Sequence, residues 1–301
     1  MAMTCYMHEQ FALHDPGHGH PERPQRYAAV AAAVSATGSP IAEAPPASRE
    51  ALERVHAPAY LDRVERFCEA GGGALDADTV VGQVSWSAAL RGAGGAIAAV
   101  DEVAQGAVGA FSFGRPPGHH AEAARAMGFC IINSAAVAAA HARHHLGLDR
   151  VAVLDWDAHH GNGTQAIFYD DPAVLYVSLH QHPFYPGSGA ASERGAGAGE
   201  GATVNLPLPA GCSEHDYLDV FGEHAIGALG RFRPQLLIVS AGFDAHRDDP
   251  LCDLNLTARS FATMASRLHQ ECGGIAFVLE GGYDLPALEM SVTSVLEAVG
   301  P

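Results

Sequence analysis

The sequence predicts an α/β domain built on a parallel sheet with helices on both faces. Short, nearly continuous apolar runs recur at 108–113 (VGAFSF), 151–155 (VAVLD), 174–179 (VLYVSL), 236–240 (LLIVS) and 275–279 (IAFVL), the pattern of strands covered on both sides. Amphipathic stretches of helical length alternate with them. The chain has 301 residues, 48% hydrophobic and 17% charged, enough to bury one large core, and α/β proteins of this length are often one domain. A single domain over 1–301 is therefore expected.

In chain order, helices are predicted near 24–35, 48–69, 86–104, 133–146, 213–230, 257–271 and 285–299. Ser213 and Thr257 suit N-caps, and Gly38, Gly147 and Gly273 follow helix ends. The low-complexity stretch 186–202 (PGSGAASERGAGAGEGA) reads as a surface loop inside the domain, because strand-like segments with related chemistry flank it. No apolar run reaches the ~18 residues of a membrane span. The start, MAMTCYMHEQ, has no basic-then-apolar leader, and the six dispersed cysteines form no CxxC pair, so they read as free thiols. A cytoplasmic protein is expected. All 17 basic residues are arginine, and against 34 acidic ones they leave a net charge of −17. That balance argues against nucleic acid as a partner and favours cationic substrates.

The unusual polar residues fall where the predicted strands end. VGAFSF runs into Arg115-Pro116-Pro117-Gly118-His119-His120, and VAVLD into Asp155-Trp156-Asp157-Ala158-His159-His160. LLIVS runs into Ala241-Gly242-Phe243-Asp244, and IAFVL into Glu280-Gly281-Gly282-Tyr283-Asp284. In open parallel sheets, ligands sit outside the carboxyl ends of the strands. Asp155, Asp157 and His159 alternate at period two, so an extended backbone would point all three the same way. Asp157 and His159, joined by Asp244 from another strand end, would make a three-ligand metal site with an open position. Carboxylate and imidazole donors suit zinc; Fe(II) and Co(II) accept the same set.

His119 and His120, in a turn fixed by prolines and bounded by glycine, fit acid–base groups better than ligands. Asp155 could hold the second nitrogen of one of them. Tyr283 follows two glycines, so its loop is expected to move, and its hydroxyl could donate to an oxyanion. His14, His18 and His20 read as solvated loop histidines near the site entrance, and His141, His144 and His145 as a helix surface. Phe129 and Tyr185 are loop aromatics beside the motifs, equally compatible with core packing.

Taken together and in this order, RPPGHHA, DWDAHHGNGTQ, SLHQHPFYPGSG, SAGFDAHRDDPL and LEGGYD resemble the zinc-dependent histone deacetylase family, in its class II-like bacterial branch, within a superfamily that includes acetylpolyamine amidohydrolases. HPERPQR at 20–26 and VHAPAYLDRV at 55–64 extend the resemblance over nearly the whole chain. It implies the arginase/deacetylase fold, a three-layer αβα arrangement around a mainly parallel sheet of about eight strands. It also implies one zinc ion on Asp157, His159 and Asp244, with His119 and His120 as the acid–base pair, Asp155 behind His119, and Tyr283 as the electrophilic hydroxyl. Gly128, Phe129, Tyr185, Leu251 and Gly282 would line a channel for an acyl-lysine side chain. A potassium ion would sit among Asp155, Asp157, His159, Ser178 and Leu179.

The departures sort the subgroup. Asn162 stands where class I members carry Asp, giving His120 an amide partner. Tyr185 replaces the usual channel Phe. Leu251 stands where the polyamine-selective vertebrate member has a Glu. The dimanganese arrangement of arginases needs carboxylates that this chain lacks. The implied reaction is hydrolysis of an acetyl or other short acyl amide on a lysine-like amine by metal-activated water. Alternatives on the same site are an acetylpolyamine deacetylase, an esterase and a non-catalytic acyl-lysine binding module; retention of Tyr283 weighs against the last, since weakly active relatives carry His there. No membrane or nucleic-acid partner is expected, and either a monomer or a homo-oligomer is compatible with the sequence.

Overall fold

The computed structural model describes residues 2–300. In chain order its elements are β1 (Thr4–Met7), α1 (Gln10–Leu13), α2 (Gln25–Thr37), β2 (Ile41–Glu43), α3 (Arg49–Glu53), α4 (Pro58–Glu69), β3 (Gly73–Ala74), β4 (Val80–Val81), α5 (Ser85–Ala104), β5 (Gly109–Ser112), α6 (Ser134–His144), β6 (Val151–Asp155), α7 (Asn162–Phe168), β7 (Val174–Gln181), β8 (Thr203–Leu208), α8 (Glu214–Val220), α9 (Ile226–Phe232), β9 (Leu236–Ala241), α10 (Ala258–Cys272), β10 (Ile275–Leu279) and α11 (Leu285–Val299). Eight strands form one parallel sheet in the order β2-β1-β5-β10-β9-β6-β7-β8. β3 and β4 make a separate antiparallel pair.

The five strands expected from apolar runs are all present, and the central ones are buried along their whole length. One core packs α2, α8, α9, α10 and α11 on one face of the sheet, and another packs α4, α5 and α6 on the opposite face. The layered αβα fold is therefore observed. β1, β2 and β8 are additions. β1 and β2 are too short for a periodic signal, and β8 carries Pro207 on an edge, where a missing N–H costs no ladder bond.

The helix expected over 48–69 divides into α3 and α4, because Pro58 forces Ala57 into an extended conformation (ψ 133°) and opens a new first turn. Ser213 caps α8 through its side chain, and Thr257 and Ser260 form a capping box on α10. The Gly-rich stretch 186–202 connects β7 and β8, which are neighbours in the sheet. Chain order and spatial order differ where it matters: β5, β10, β9 and β6 are adjacent, so the four motif-bearing segments end side by side.

Candidate active site

The carboxyl ends of these four strands bring the expected residues together. β6 ends at Asp155, so Asp157 and His159 lie in the loop beyond it, and strand alternation does not orient them. Hydrogen bonding does. The His159 N–H donates to Asp157 Oδ1 (2.9 Å) and the Ala158 N–H to Asp244 Oδ1 (2.7 Å). Gly281 N–H donates to Asp157 Oδ2 (2.8 Å). His159 Nδ1 lies 2.7 Å from Asp244 Oδ2 and 3.2 Å from Asp157 Oδ1.

Burial opposes ionisation of both carboxyls, but they divide. The imidazoles of His119 and His159 hold Asp157 well below the usual carboxylate range, whereas burial and the Asp157 charge push Asp244 up to about 7. Two buried carboxyls and an imidazole, each offering a donor atom within 4.8 Å of the others, form a set whose mutual repulsion a cation relieves. Gly242 and Gly281 keep the space clear: a Cβ at Gly242 would collide with the Asp157 carboxylate, and one at Gly281 would lie 2.7 Å from both Asp157 and Asp244. The donors and the cradle fit a divalent ion such as zinc. A second trio, His119, Cys130 and Glu280, is also close-set. There burial and neighbouring carboxylates hold the Cys130 thiol protonated, which makes it a poor ligand.

The two imidazoles of the HH turn face the same space but differ in environment. His119 Nδ1 sits 3.1 Å from Asp155 Oδ2, which also accepts from the Tyr176 hydroxyl (3.0 Å). Burial alone would lower His119, yet Asp157, Asp155 and Glu280 hold it well above the usual histidine range. His120 is lowered by burial and by the charges of His119 and His159; its Nδ1 lies 2.8 Å from Asn162 Oδ1. Neighbouring groups pushed in opposite directions are the signature of divided acid–base roles.

Tyr283 is only 6% exposed, and its loop is not free, contrary to the expectation drawn from its glycines. Arg26 donates from Nε to the Gly282 carbonyl (2.6 Å) and from Nη2 to that of Glu280 (2.5 Å). Asp249 Oδ2 accepts from the N–H groups of Tyr283 (2.7 Å) and Asp284 (3.3 Å). The Arg26 guanidinium also lies 5.0 Å from the Tyr283 ring centroid. Burial, partly countered by Arg26, holds the phenol well above its usual pKa, so it remains a donor. Asp249→Asn would set an NH2 group against backbone donors. The expected loss is about 1–3 kcal/mol of stability, read from the urea midpoint.

Phe129 has φ 68°, a conformation rare for a bulky side chain. It is held by the Thr79 hydroxyl, which accepts from its N–H (3.1 Å). Its ring meets that of Tyr283 edge-on (5.8 Å) and that of His20 (4.6 Å). Gly128 packs on His120, and Tyr185 stands edge-on to His120 at 5.2 Å. Tyr185 thus stands beside His120, and Phe129 beside Tyr283 and His20. Leu251 borders a cavity of about 800 Å³ with His18, His20 and Tyr283, and Gly282 sits inside the Arg26 clamp. Ser178 pairs in register with Asp155, and its hydroxyl meets His180 Nδ1 (2.8 Å), with Leu179 buried beside it.

Two histidine expectations need correction. His14 is buried, not solvated, lying 2.7 Å from the Ser85 hydroxyl and 3.2 Å from Glu22. His141 faces α5 and pairs with Asp101 (2.7 Å); His144 and His145 are exposed. Arg26, Asp249 and Phe184 carry no signal of a site role in the sequence, and Glu280 stands there only as a polar residue at a strand end. Phe184 stacks on the His159 ring at 5.0 Å, and the Glu280 carboxylate accepts from the N–H groups of Gly118 (2.6 Å) and His119 (3.0 Å). Arg26, Asp249 and Glu280 lie inside the quoted motifs, but their roles are contacts across the fold.

Residues 20–299 match the histone deacetylase domain model. The chain is 42% identical to the histone deacetylase-like amidohydrolase of Pseudomonas aeruginosa, over 93% of this chain and 76% of that one. It is equally identical to a probable deacetylase of Methanothermobacter thermautotrophicus, over 93% and 87%. The acetylpolyamine aminohydrolase structure from Burkholderia pseudomallei superposes with a TM-score of 0.88 at 35% identity, covering 99% of this chain and 98% of that one.

Proposed function

The chain belongs to the histone deacetylase family, and on that premise we propose that it is an amidohydrolase that removes acetyl groups from amines carried on alkyl stems. One observation carries the reading: the Asp157–His159–Asp244 donor set, the His119–His120 pair and Tyr283 meet at adjacent strand ends. Asp157, His159 and Asp244 would hold one zinc ion. When bound, the ion supplies Lewis acidity toward an acyl oxygen and a water.

His120, neutral in its buried setting, takes the proton from the attacking water. His119, with Asp155 against its Nδ1, supplies positive charge beside the developing negative charge, and the pair returns a proton to the departing amine. Tyr283 donates its hydroxyl hydrogen to the acyl oxygen as that oxygen gains charge. Gly128, Phe129 and Tyr185 grip the alkyl stem, with Leu251 and Gly282 at its border. A potassium ion among Asp155, Asp157, His159, Ser178 and Leu179 is part of the same proposal and would stiffen the ligand loop. So is a single domain over 1–301.

Six free cysteines support a reducing, cytoplasmic setting; among the described residues no helix is long and apolar enough to cross a membrane. The net charge of −17 favours amine-bearing substrates, whether acetyl-lysine in a protein or an acetylated polyamine. The test is acetate release by the zinc-loaded protein from an acetyl-lysine peptide and an acetylated polyamine, assayed in parallel at equal concentration. Turnover of either is expected, and their ratio chooses the substrate. Release from neither, with one zinc bound per chain, would overturn the deacetylase reading.

A further inference from the structure

A neutral imidazole can act as a base only through the nitrogen that lacks hydrogen, and which nitrogen that is depends on the partner of the other. His120 poses this question sharply, because its Nδ1 faces not a carboxylate but the side-chain amide of Asn162 (2.8 Å). An amide can present either its oxygen or its NH2 group. The oxygen would require hydrogen on Nδ1 and leave Nε2 as the base. The NH2 group would require the reverse and would disable that nitrogen.

The surroundings of Asn162 decide the matter. The far end of its amide meets only acceptors: the Glu122 carboxylate (Oε1, 2.9 Å), the backbone oxygen of His120 (3.4 Å) and the Met127 sulfur (3.4 Å). The NH2 group must lie there, because the opposite orientation would set the amide oxygen against a carboxylate. Glu122 is itself immobilised through its backbone. Its N–H donates to the Arg125 carbonyl (2.9 Å), and its carbonyl accepts from His56 Nδ1 (3.0 Å). The tautomer of His56 follows in turn, since its Nε2 accepts from the Asn133 N–H (3.0 Å).

We propose that Glu122 is a positioning residue for the proposed general base: by accepting from the Asn162 NH2 group it fixes the amide direction, and thereby the Nδ1–H tautomer of His120. The pair Asn162–Glu122 thus sets a carboxylate behind Nδ1 of His120 in two steps, where Asp155 stands directly against Nδ1 of His119. A carboxylate stands behind each imidazole, one adjacent and one relayed.

The proposal rests on the deacetylase reading only for its catalytic consequence, so the test has a spectroscopic arm. Zinc-loaded full-length protein labelled with 15N-histidine is compared with Glu122→Gln, Asn162→Asp and the double variant. The His120 signals are assigned by their loss in His120→Gln. Wild type is expected to show His120 as the Nδ1–H tautomer. Glu122→Gln, whose amide no longer dictates a direction, is expected to populate the Nε2–H form and lose about 10²-fold in kcat with KM little changed. In the double variant a carboxylate at 162 accepts from Nδ1–H without needing Glu122, so the Nδ1–H signal and most of kcat return. Asn162→Asp alone faces Glu122 with a like charge and performs worse than the double variant. An Nε2–H tautomer in wild type, or a Glu122→Gln variant with unchanged tautomer and kcat, would overturn the proposal. If no protein releases acetate yet the tautomer still follows Glu122, the deacetylase reading fails and the positioning role stands.

Discussion

Tyr283→Phe is expected to keep its fold and its zinc while losing about 10²–10³-fold in kcat for amide hydrolysis, the range seen when one preorganised oxyanion donor is removed. The ring's packing survives the change. The edge contact with Phe129 (5.8 Å) and the Arg26 guanidinium 5.0 Å from the ring centroid involve the aromatic face and rim, not the hydroxyl. The loop is held by backbone bonds to Arg26 and Asp249 that Phe leaves intact. What disappears is one donor in a buried place where water does not readily substitute for it. Zinc stoichiometry, melting temperature and KM should therefore stay near wild type while acetate release falls. Retention of full activity would remove the proposed role of Tyr283.

Asp244→Asn should abolish stoichiometric zinc binding and acetate release together. In wild type, zinc in 100-fold excess over its Kd should stabilise the fold by about 2.7 kcal/mol, visible as a higher melting temperature. That stabilisation should grow between pH 6 and 8. Burial and Asp157 hold the Asp244 carboxyl up to about 7, against 3.8 unperturbed, so below that value a proton competes with the cation. The sign for the metal-free protein is opposite. Between about 4 and 7 the folded state holds more protons than the unfolded one, so stability contributed at Asp244 falls as pH rises. Metal-free Asp244→Asn lacks this decline and at pH 8 should be at least as stable as metal-free wild type. A zinc-induced rise in melting temperature that persists in the variant would exclude Asp244 as a ligand.

Much of this site is legible without a structure, for an identifiable reason. The Asp157–His159 pair, Asp244, the HH turn and Tyr283 each follow an apolar run directly, and buried parallel strands betray themselves by composition. Local chemistry at a strand end is local in sequence. Contacts with remote partners leave no such local mark. Arg26 clamps carbonyls more than 250 positions away, and nothing in HPERPQR says where its guanidinium points. His14 looks like a solvated loop histidine until Ser85 and Glu22 close around it. The glycines before Tyr283 suggest freedom, yet four hydrogen bonds remove it. Asn162 by itself suggests an amide partner for His120; only the fold reveals the carboxylate of Glu122 behind it.

The sequence by itself determined the layered α/β class, the donor types, their position at the ends of strands and the family they resemble. The tertiary structure alone decided that the strands run β5-β10-β9-β6 in space, which sets the HH turn, the tyrosine loop and the ligand loops side by side. It also decided which polar groups hold each other in orientation. The physical reason is the range of the interactions. Periodicity and caps record bonds between near neighbours, whereas parallel pairing and buried hydrogen bonds join residues that meet only after long connections have packed onto the sheet.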